Sequence, residues 1–211
     1  SFVPSTNYDL DTAIGIAIVD ADGLSASGTI ILDVTPENEV PTATNTDQTV
    51  EFAEDASATT LTTIVVSEND SIQASTDTTT ASDETTDETV TVSIVLSDSS
   101  AGSFSADTGS GESFSSGTWS ISGVSVTTAN TALASLTYTP AENYDKDASA
   151  TITIEDADGL TLTDTIVLDV TPENEAPTAT NTDQTVEFAE DASATTLTTI
   201  VVSENDSIQA S

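Results

Sequence analysis

An exact internal repeat restricts the fold of this chain more than any other feature. Residues 41–75 recur letter for letter as residues 177–211. A looser match extends backwards, with residues 7–39 aligned on residues 143–175 at a constant offset of 136 residues. A unit of this length exceeds the roughly 20–50 residues of solenoid repeats and suits an independently folded domain. The sequence therefore predicts whole domains joined in a tandem array.

The charge balance limits the partners of this chain. There are 37 acidic residues and a single basic one, Lys146, so the formal net charge is −36. Nucleic acids and anionic lipid surfaces repel such a chain, and no apolar stretch approaches ~18 residues, so we expect no nucleic-acid partner and no membrane insertion. Cations are the expected partners. Because cysteine is absent, metal ions are the remaining means of cross-linking.

Alternating apolar and polar residues predict β-strands along most of the chain. In residues 160–170 the apolar side chains keep a period of two, while threonines and Asp169 face the other way. Disorder is the competing interpretation for so acidic a chain, but the regular apolar pattern favours a folded protein. The same alternation, or a strand-like composition, is found in residues 24–34, 49–52, 61–66, 90–96, 102–105, 117–122, 136–139 and 152–154.

About seven short strands per unit predict an all-β fold of tandem Ig-like antiparallel β-sandwich domains with Greek-key connections. One short helix is predicted over residues 127–135. Proline-containing segments mark the joints between units. Residues 1–40 are then the C-terminal strands of a preceding repeat, residues 41–176 a complete sandwich, and residues 177–211 the N-terminal strands of the following repeat. Residues 71–88 are predicted to form a solvated loop.

Acidic clusters lie where turns are expected, and each cluster occurs twice. The first comprises Asn7, Asp9 and Asp11 with Asn143, Asp145 and Asp147, the second Asp20 and Asp22 with Asp156 and Asp158, and the third Glu37, Asn38 and Glu39 with Glu173, Asn174 and Glu175. Alternating Asp-x-Asp spacing lets carboxylates converge on one ion, and Ca²⁺ takes about six to eight oxygen ligands. Soft metals are disfavoured because His, Cys and Met are absent. Ordinary turn chemistry is the competing explanation.

Sandwich topology predicts that these clusters meet between domains. The turn at residues 156–159 should lie at the leading end of the complete unit, where the chain enters it. The turn at residues 143–147 should lie at the trailing end, where the chain leaves it. A calcium site between domains would then combine the turn residues 7–11, the joint residues 37–39 and the turn residues 156–158 of the following domain.

Residues 123–177 resemble the cadherin-like (VCBS or Ig-like) tandem repeats of giant RTX-type bacterial surface adhesins. The resembling elements are Asn-x-Ala-Leu-Ala at 130–134, Tyr-Thr-Pro at 138–140, Asp-Ala-Asp-Gly at 156–159 and the joint Val-Thr-Pro-Glu-Asn-Glu-Ala-Pro at 170–177. The family joint usually carries Asn-Asp before its proline, whereas here Glu-Asn-Glu-Ala precedes Pro177. The resemblance implies an extracellular, cell-surface, calcium-bound sandwich that is exported by type I secretion and folds afterwards.

Two functions fit these features. The first is a calcium-stabilised extender module, or spacer, that holds a distal binding domain of a long repetitive adhesin away from the cell. In this function the partners are calcium ions and neighbouring repeats of the same chain. The second is a subunit of an extracellular filament or surface layer, assembled homotypically when residues 1–40 of one molecule pair with residues 177–211 of another.

An enzyme is not expected. Without His and Cys, neither a Ser-His-Asp nor a Cys-His arrangement is possible. Carboxylates remain available for acid-base chemistry, but here they lie in turns duplicated along the chain rather than in one unique cleft.

Overall fold

The computed structural model describes residues 1–6, 8, 11–34, 38–68, 89–105 and 109–204. The predicted loop at 71–88 and the candidate ligands Asn7, Asp9 and Glu37 lie outside these ranges. In chain order the described elements are β1 Thr12–Val19, β2 Ser25–Leu32, β3 Thr42–Thr44, β4 Gln48–Ala53, β5 Thr59–Thr60, β6 Val65–Ser67, β7 Thr89–Leu96, β8 Gly102–Phe104, β9 Ser113–Ser115, β10 Thr118–Ser125, α1 Val126–Ala134, β11 Thr137–Pro140, β12 Ala148–Glu155, β13 Thr161–Thr171, β14 Thr178–Thr180 and β15 Val201–Ser203.

The predicted all-β sandwich is confirmed. One layer is a six-stranded sheet in the order β4-β13-β12-β7-β10-β9, and the facing layer contains β5-β11-β8 and the pair β3-β6. Alternate residues of the long strands point into the core between the layers, as the period-two pattern predicts. The aromatic residues Trp119 and Tyr138 are fully buried there.

The single predicted helix is present as α1. The Ser125 side chain accepts a hydrogen bond from the Thr128 backbone N–H (3.3 Å) and so caps its N-terminus. Ala129 and Leu133, one turn apart, are buried in the core. The helix therefore packs against β6, β7 and β10, which belong to both layers.

The strand predicted at residues 61–66 is interrupted. Only β5 and β6 are strands in this region, and residues 61–64 between them are not. Thr62 donates its backbone N–H to the Gln48 side chain (2.8 Å) and accepts a bond from the same amide (3.1 Å). The Gln48 amide thus occupies backbone groups of Thr62 that a neighbouring strand would otherwise bind.

One pairing departs from the predicted antiparallel arrangement. β4 runs parallel to β13, with Ile166 opposite Gln48 and Thr171 opposite Ala53, whereas the other described pairings are antiparallel. Parallel neighbours need a long connection. Here nearly the whole repeat lies between the two strands, so the first long strand of the sandwich closes against the last.

The two copies of the repeat share their local pairings. The hairpin β1–β2 has the register of β12–β13, and the pair β14–β15 has the register of β3–β6. Residues 184–189, identical in sequence to β4, form no strand. Local pairing therefore forms in both copies, whereas the strand at β4 forms only beside β13.

Gly102 is predicted to be intolerant of a side chain. Its φ is +156°, and a methyl group there would overlap the carbonyl oxygen of Thr139 and lie 2.7 Å from the Tyr138 hydroxyl. That hydroxyl donates a 2.7 Å hydrogen bond to the Ala101 carbonyl inside the core, so it has little room to move. We expect Gly102→Ala to lower the free energy of unfolding by about 2 kcal/mol, measured by urea denaturation.

Gly123→Ala is the matched control. Gly123 also has a positive φ, +61°, but a methyl group there meets no atom within 4 Å. Gly123→Ala should lower the free energy of unfolding only by the cost of backbone strain, about 1 kcal/mol. Equal destabilisation by both substitutions would contradict a steric clash of the added methyl group with Thr139 and Tyr138.

Candidate metal centre

The turn that follows β4 buries a glutamate at the trailing end of the sandwich. Glu54 donates its backbone N–H to the Thr171 carbonyl (2.9 Å), which extends the parallel ladder one residue beyond β4. The chain then turns at Asp55, whose φ is +57°. As a result the Glu54 side chain is only 3% exposed.

Three carboxylates meet at this turn. Oxygen atoms of Glu54, Asp55 and Glu175 all lie within 4.8 Å of one another. Glu54 is buried, Glu175 is half-buried and Asp55 is exposed. We call these three residues the carboxylate cluster. Like charges at this separation repel each other, so the arrangement favours binding of a cation.

Backbone N–H groups hold the carboxylate cluster in place. The Glu173 backbone N–H donates to Oε2 of Glu54 (3.2 Å), and the Asn143 backbone N–H donates to Oδ1 of Asp55 (2.7 Å). Asn143 itself sits at φ +55° in a turn. The cluster therefore joins the turn after β4, the turn before β12 and the segment after β13.

The hydrogen bonding of Glu54 tests whether the carboxylate cluster suits a cation. Oε1 of Glu54 is buried and has no hydrogen-bond partner among the described residues. A buried carboxylate oxygen without a partner is unfavourable because its hydration has been removed and not replaced. A metal ion bound between the three side chains would provide the missing interaction.

The donor set fits a hard divalent cation. Three carboxylates supply up to about six oxygens, which suits Ca²⁺, and the exposed side of Asp55 admits water as a further ligand. No thiolate or imidazole is available anywhere in the sequence to favour a soft metal. When bound, the ion would neutralise the cluster and connect Glu175 to the body of the sandwich.

The predicted turn aspartates are engaged in hydrogen bonds. Asp156 is 5% exposed, and its Oδ1 accepts from the backbone N–H groups of Asp158 (3.0 Å) and Leu160 (2.8 Å). Asp20 makes the same two bonds to Asp22 (3.0 Å) and Leu24 (2.8 Å). Ordinary turn chemistry thus accounts for the conformation of both Asp-Ala-Asp-Gly segments without an ion.

Asn38 of the joint contacts the turn at residues 156–159, and calcium binding between domains stays a prediction. Oδ2 of Asp156 accepts a 3.0 Å hydrogen bond from the side-chain amide of Asn38. The Asp156 carboxylate thus accepts N–H groups from the turn and from Asn38, and so connects the joint to the turn.

The remaining candidate ligands have varied positions. Asp11 and Asp147 each accept a backbone N–H bond, from Val34 (2.8 Å) and Val170 (3.0 Å), which ties the residue before a hairpin to the end of its second strand. The Asn174 side chain donates to the Glu175 carbonyl (3.2 Å). Among the other candidates, one is buried, one is half-buried and two are exposed in their turns: Asp145, Glu39, and Asp22 and Asp158, respectively. Ligation by these residues stays a prediction.

Two members of the carboxylate cluster, Glu54 and Asp55, were absent from the sequence-based candidates. A signal existed, since this adjacent acidic pair lies one residue after the predicted strand 49–52 and recurs as Glu190 and Asp191. The parallel pairing of β4 with β13 was not predicted, and without it nothing in the sequence places the pair beside Glu175.

Comparisons with known proteins identify no family for this chain. No family model matches it, and no curated protein matches it. Its fold is similar to protocadherin gamma B7 extracellular domains 1–4 (13% identity, 97% of this chain and 43% of that one, TM-score 0.44). It is also similar to the human desmocollin-1 ectodomain (13% identity, 81% and 29%, TM-score 0.39) and to domains 4 and 5 of the S-layer protein SbsC (10% identity, 79% and 73%, TM-score 0.31).

These TM-scores lie below 0.5, so the similarities carry no inference about function. The chain spans less than half of the protocadherin and desmocollin chains that it matches. Within the described residues no helix is both long and apolar enough to cross a membrane.

We predict that calcium stabilises the sandwich through Glu54. A cation that binds only the folded state at about 100 times its dissociation constant adds about 2.7 kcal/mol to the free energy of unfolding. In the Glu54→Gln variant, calcium should add much less to the free energy of unfolding. In chelator the variant should be no less stable than the parent, because one of three repelling charges has been removed. Urea denaturation with millimolar calcium and with chelator measures both effects.

Glu190→Gln is the matched control, since Glu190 is the same residue of the repeat but is exposed. It should retain the full calcium increment. A parent protein whose unfolding is identical with calcium and with chelator would rule out the metal centre.

Proposed function

We propose that this chain is part of a calcium-stabilised structural extender of a long, repetitive, extracellular cell-surface adhesin, in which it holds a distal binding domain away from the cell. The observation that carries this proposal is the carboxylate cluster. It joins Glu175, which lies in the joint after β13, to Glu54 and Asp55 of the sandwich.

The mechanism is electrostatic control of the joint. Without a cation, repulsion drives Glu175 away from Glu54 and Asp55, and the joint is free to change direction. Glu54, Asp55 and Glu175 would hold a bound Ca²⁺, whose charge would offset their repulsion and so attach the joint to the sandwich. Because binding favours the ordered state, its free energy also stabilises the fold.

The other end of the joint supports the same role. Asn38 and Asn174 are equivalent in the two copies of the repeat. The Asn38 amide bonds to Asp156 of the sandwich that follows it. Each joint of the array would then be attached to the preceding sandwich through a metal ion and to the following one through an Asn–Asp hydrogen bond.

The charge of the chain is consistent with an extracellular location. At −36 with one lysine, a row of such domains repels itself along its length, which favours an extended shape. Folding that depends on calcium suits a compartment rich in that ion, and the absence of cysteine leaves metal ions as the stabilising cross-links.

Spin-label distance measurements test the extender proposal. Labels at Thr163→Cys and Thr180→Cys lie on either side of the joint, one on β13 and one on β14. We expect a narrow distance distribution in calcium and a broad one in chelator. In the Glu54→Gln background the distribution should stay broad in both conditions.

Labels at Thr163→Cys and Ser120→Cys, which both lie in the six-stranded sheet, are the control and should be insensitive to calcium. An equally broad distribution across the joint with and without calcium would refute the stiffening mechanism.

A further inference from the structure

A hydrogen bond attaches the exposed member of the carboxylate cluster to the turn before β12. The carboxylate of Asp55 is repelled by those of Glu54 and Glu175, and solvent is open to it. The backbone N–H of Asn143 restrains it, at 2.7 Å from Oδ1 and 88 residues away along the chain. Because a carboxylate has two oxygens, this bond orients Asp55 and leaves Oδ2 available for a cation.

The backbone conformation of Asn143 directs this N–H group. Residues 141–144 form a turn in which the Tyr144 backbone N–H donates to the Ala141 carbonyl (3.2 Å). Asn143 is the third residue of the turn and has φ +55°. Turns with a positive φ at their third residue favour Gly or Asn there. The turn therefore depends on a residue at 143 that tolerates the left-handed region.

A change of φ at Asn143 would break the contact with Asp55. Rotation about this bond turns the peptide group that carries the N–H relative to β12, which begins at Ala148. In the right-handed or extended regions that group has another direction, so the hydrogen bond would be lost. A β-branched residue strongly resists a positive φ, whereas glycine adopts it readily. Substitutions at 143 can therefore break or keep the bond without altering any carboxylate.

The turn after β4 does not supply this orientation by itself. Asp55 has φ +57°, and its counterpart Asp191 in the other copy has φ +62°. Local sequence therefore sets the backbone of this turn. The bond from Asn143 is a tertiary contact, and it adds the direction of the Asp55 side chain.

We propose that Asn143 is a positioning residue of the metal centre. Its left-handed backbone directs an N–H group at Asp55 and holds that carboxylate in place for Ca²⁺, and the Asn143 side chain is not a ligand. The inference rests on the calcium site of the proposed function and replaces the sequence-based prediction that the Asn143 side chain binds the ion. Loss of a hydrogen bond that supports a metal ligand typically weakens metal binding about 10–100-fold.

Two substitutions at Asn143 separate positioning from ligation. The full chain is titrated with calcium chloride, and the backbone amide resonances of Glu54 and Asp55 report binding at this site. Asn143→Gly removes the side chain but keeps the N–H group and tolerates the positive φ, so its dissociation constant should stay within about threefold of the parent. Asn143→Val should bind at least about tenfold more weakly. A tenfold loss in Asn143→Gly, or parent-like binding by Asn143→Val, would overturn the proposal.

A double-mutant cycle tests whether Asn143 acts through Asp55. Asp55→Gly removes the carboxylate and accepts the φ of +57° at this position. In that background Asn143→Val should change the dissociation constant less than about twofold, because the bond that it breaks is already absent. A further tenfold weakening would show that Asn143 acts by another route, contrary to the proposal.

Asn45→Val is the matched control for lost stability. Asn45 also has a left-handed backbone, with φ +60°, but it precedes β4, whereas Glu54 and Asp55 follow that strand. The control should lower the free energy of unfolding and leave the calcium dissociation constant unchanged. If it weakened calcium binding as much as Asn143→Val, general destabilisation would explain both results and the positioning role would be wrong.

Amide hydrogen exchange tests the contact without any metal and does not require Asn143→Val to fold. In chelator, the Asn143 amide should exchange at least about tenfold faster in Asp55→Gly than in the parent. Unchanged exchange would overturn the positioning contact whether or not calcium binds. A parent whose Glu54 resonance does not respond to calcium would instead overturn the metal centre, so the two failures are distinguishable.

Discussion

The parallel pairing of β4 with β13 is the constraint on which the rest of the structure depends. It places the first long strand of the repeat beside the last one, at the edge of the six-stranded sheet. Val50 and Phe52 thereby join the core with Leu168 and Val170. The same ladder carries Glu54 one residue further, to the carbonyl of Thr171, and so brings its carboxylate beside the segment that leaves the domain.

That position couples the fold to the charge of the chain. A sequence with 37 acidic residues and one lysine has almost no cationic side chains with which to neutralise a buried carboxylate. Oε1 of Glu54 is buried without a hydrogen-bond partner among the described residues, next to two further carboxylates. A bound divalent ion would stabilise this arrangement, since it would neutralise the carboxylate charges and coordinate their oxygen atoms.

The acidic residues of the turns have a different physical role from those of the carboxylate cluster. Asp156 and Asp20 accept backbone N–H bonds that shape their own turns, and Asp147 and Asp11 do the same across a hairpin. Composition could not separate these roles, because Asp suits turns and metal ions alike. Of the cluster, Glu175 was predicted from its joint. Glu54 and Asp55 were not, because over a hundred residues separate them from Glu175.

The exact repeat separates what the sequence by itself determined from what only the tertiary structure decided. Local features are the same in both copies: Asn45 and Asn181 both have φ +60°, and Gln48 and Gln184 bind the equivalent backbone groups. These depend on neighbours within about twenty residues, so the sequence determines them. Residues 48–53 form a strand with Phe52 in the core, whereas the identical residues 184–189 form none and expose Phe188. An edge strand and its burial require a partner strand, and β13 provides one in only one of the two places.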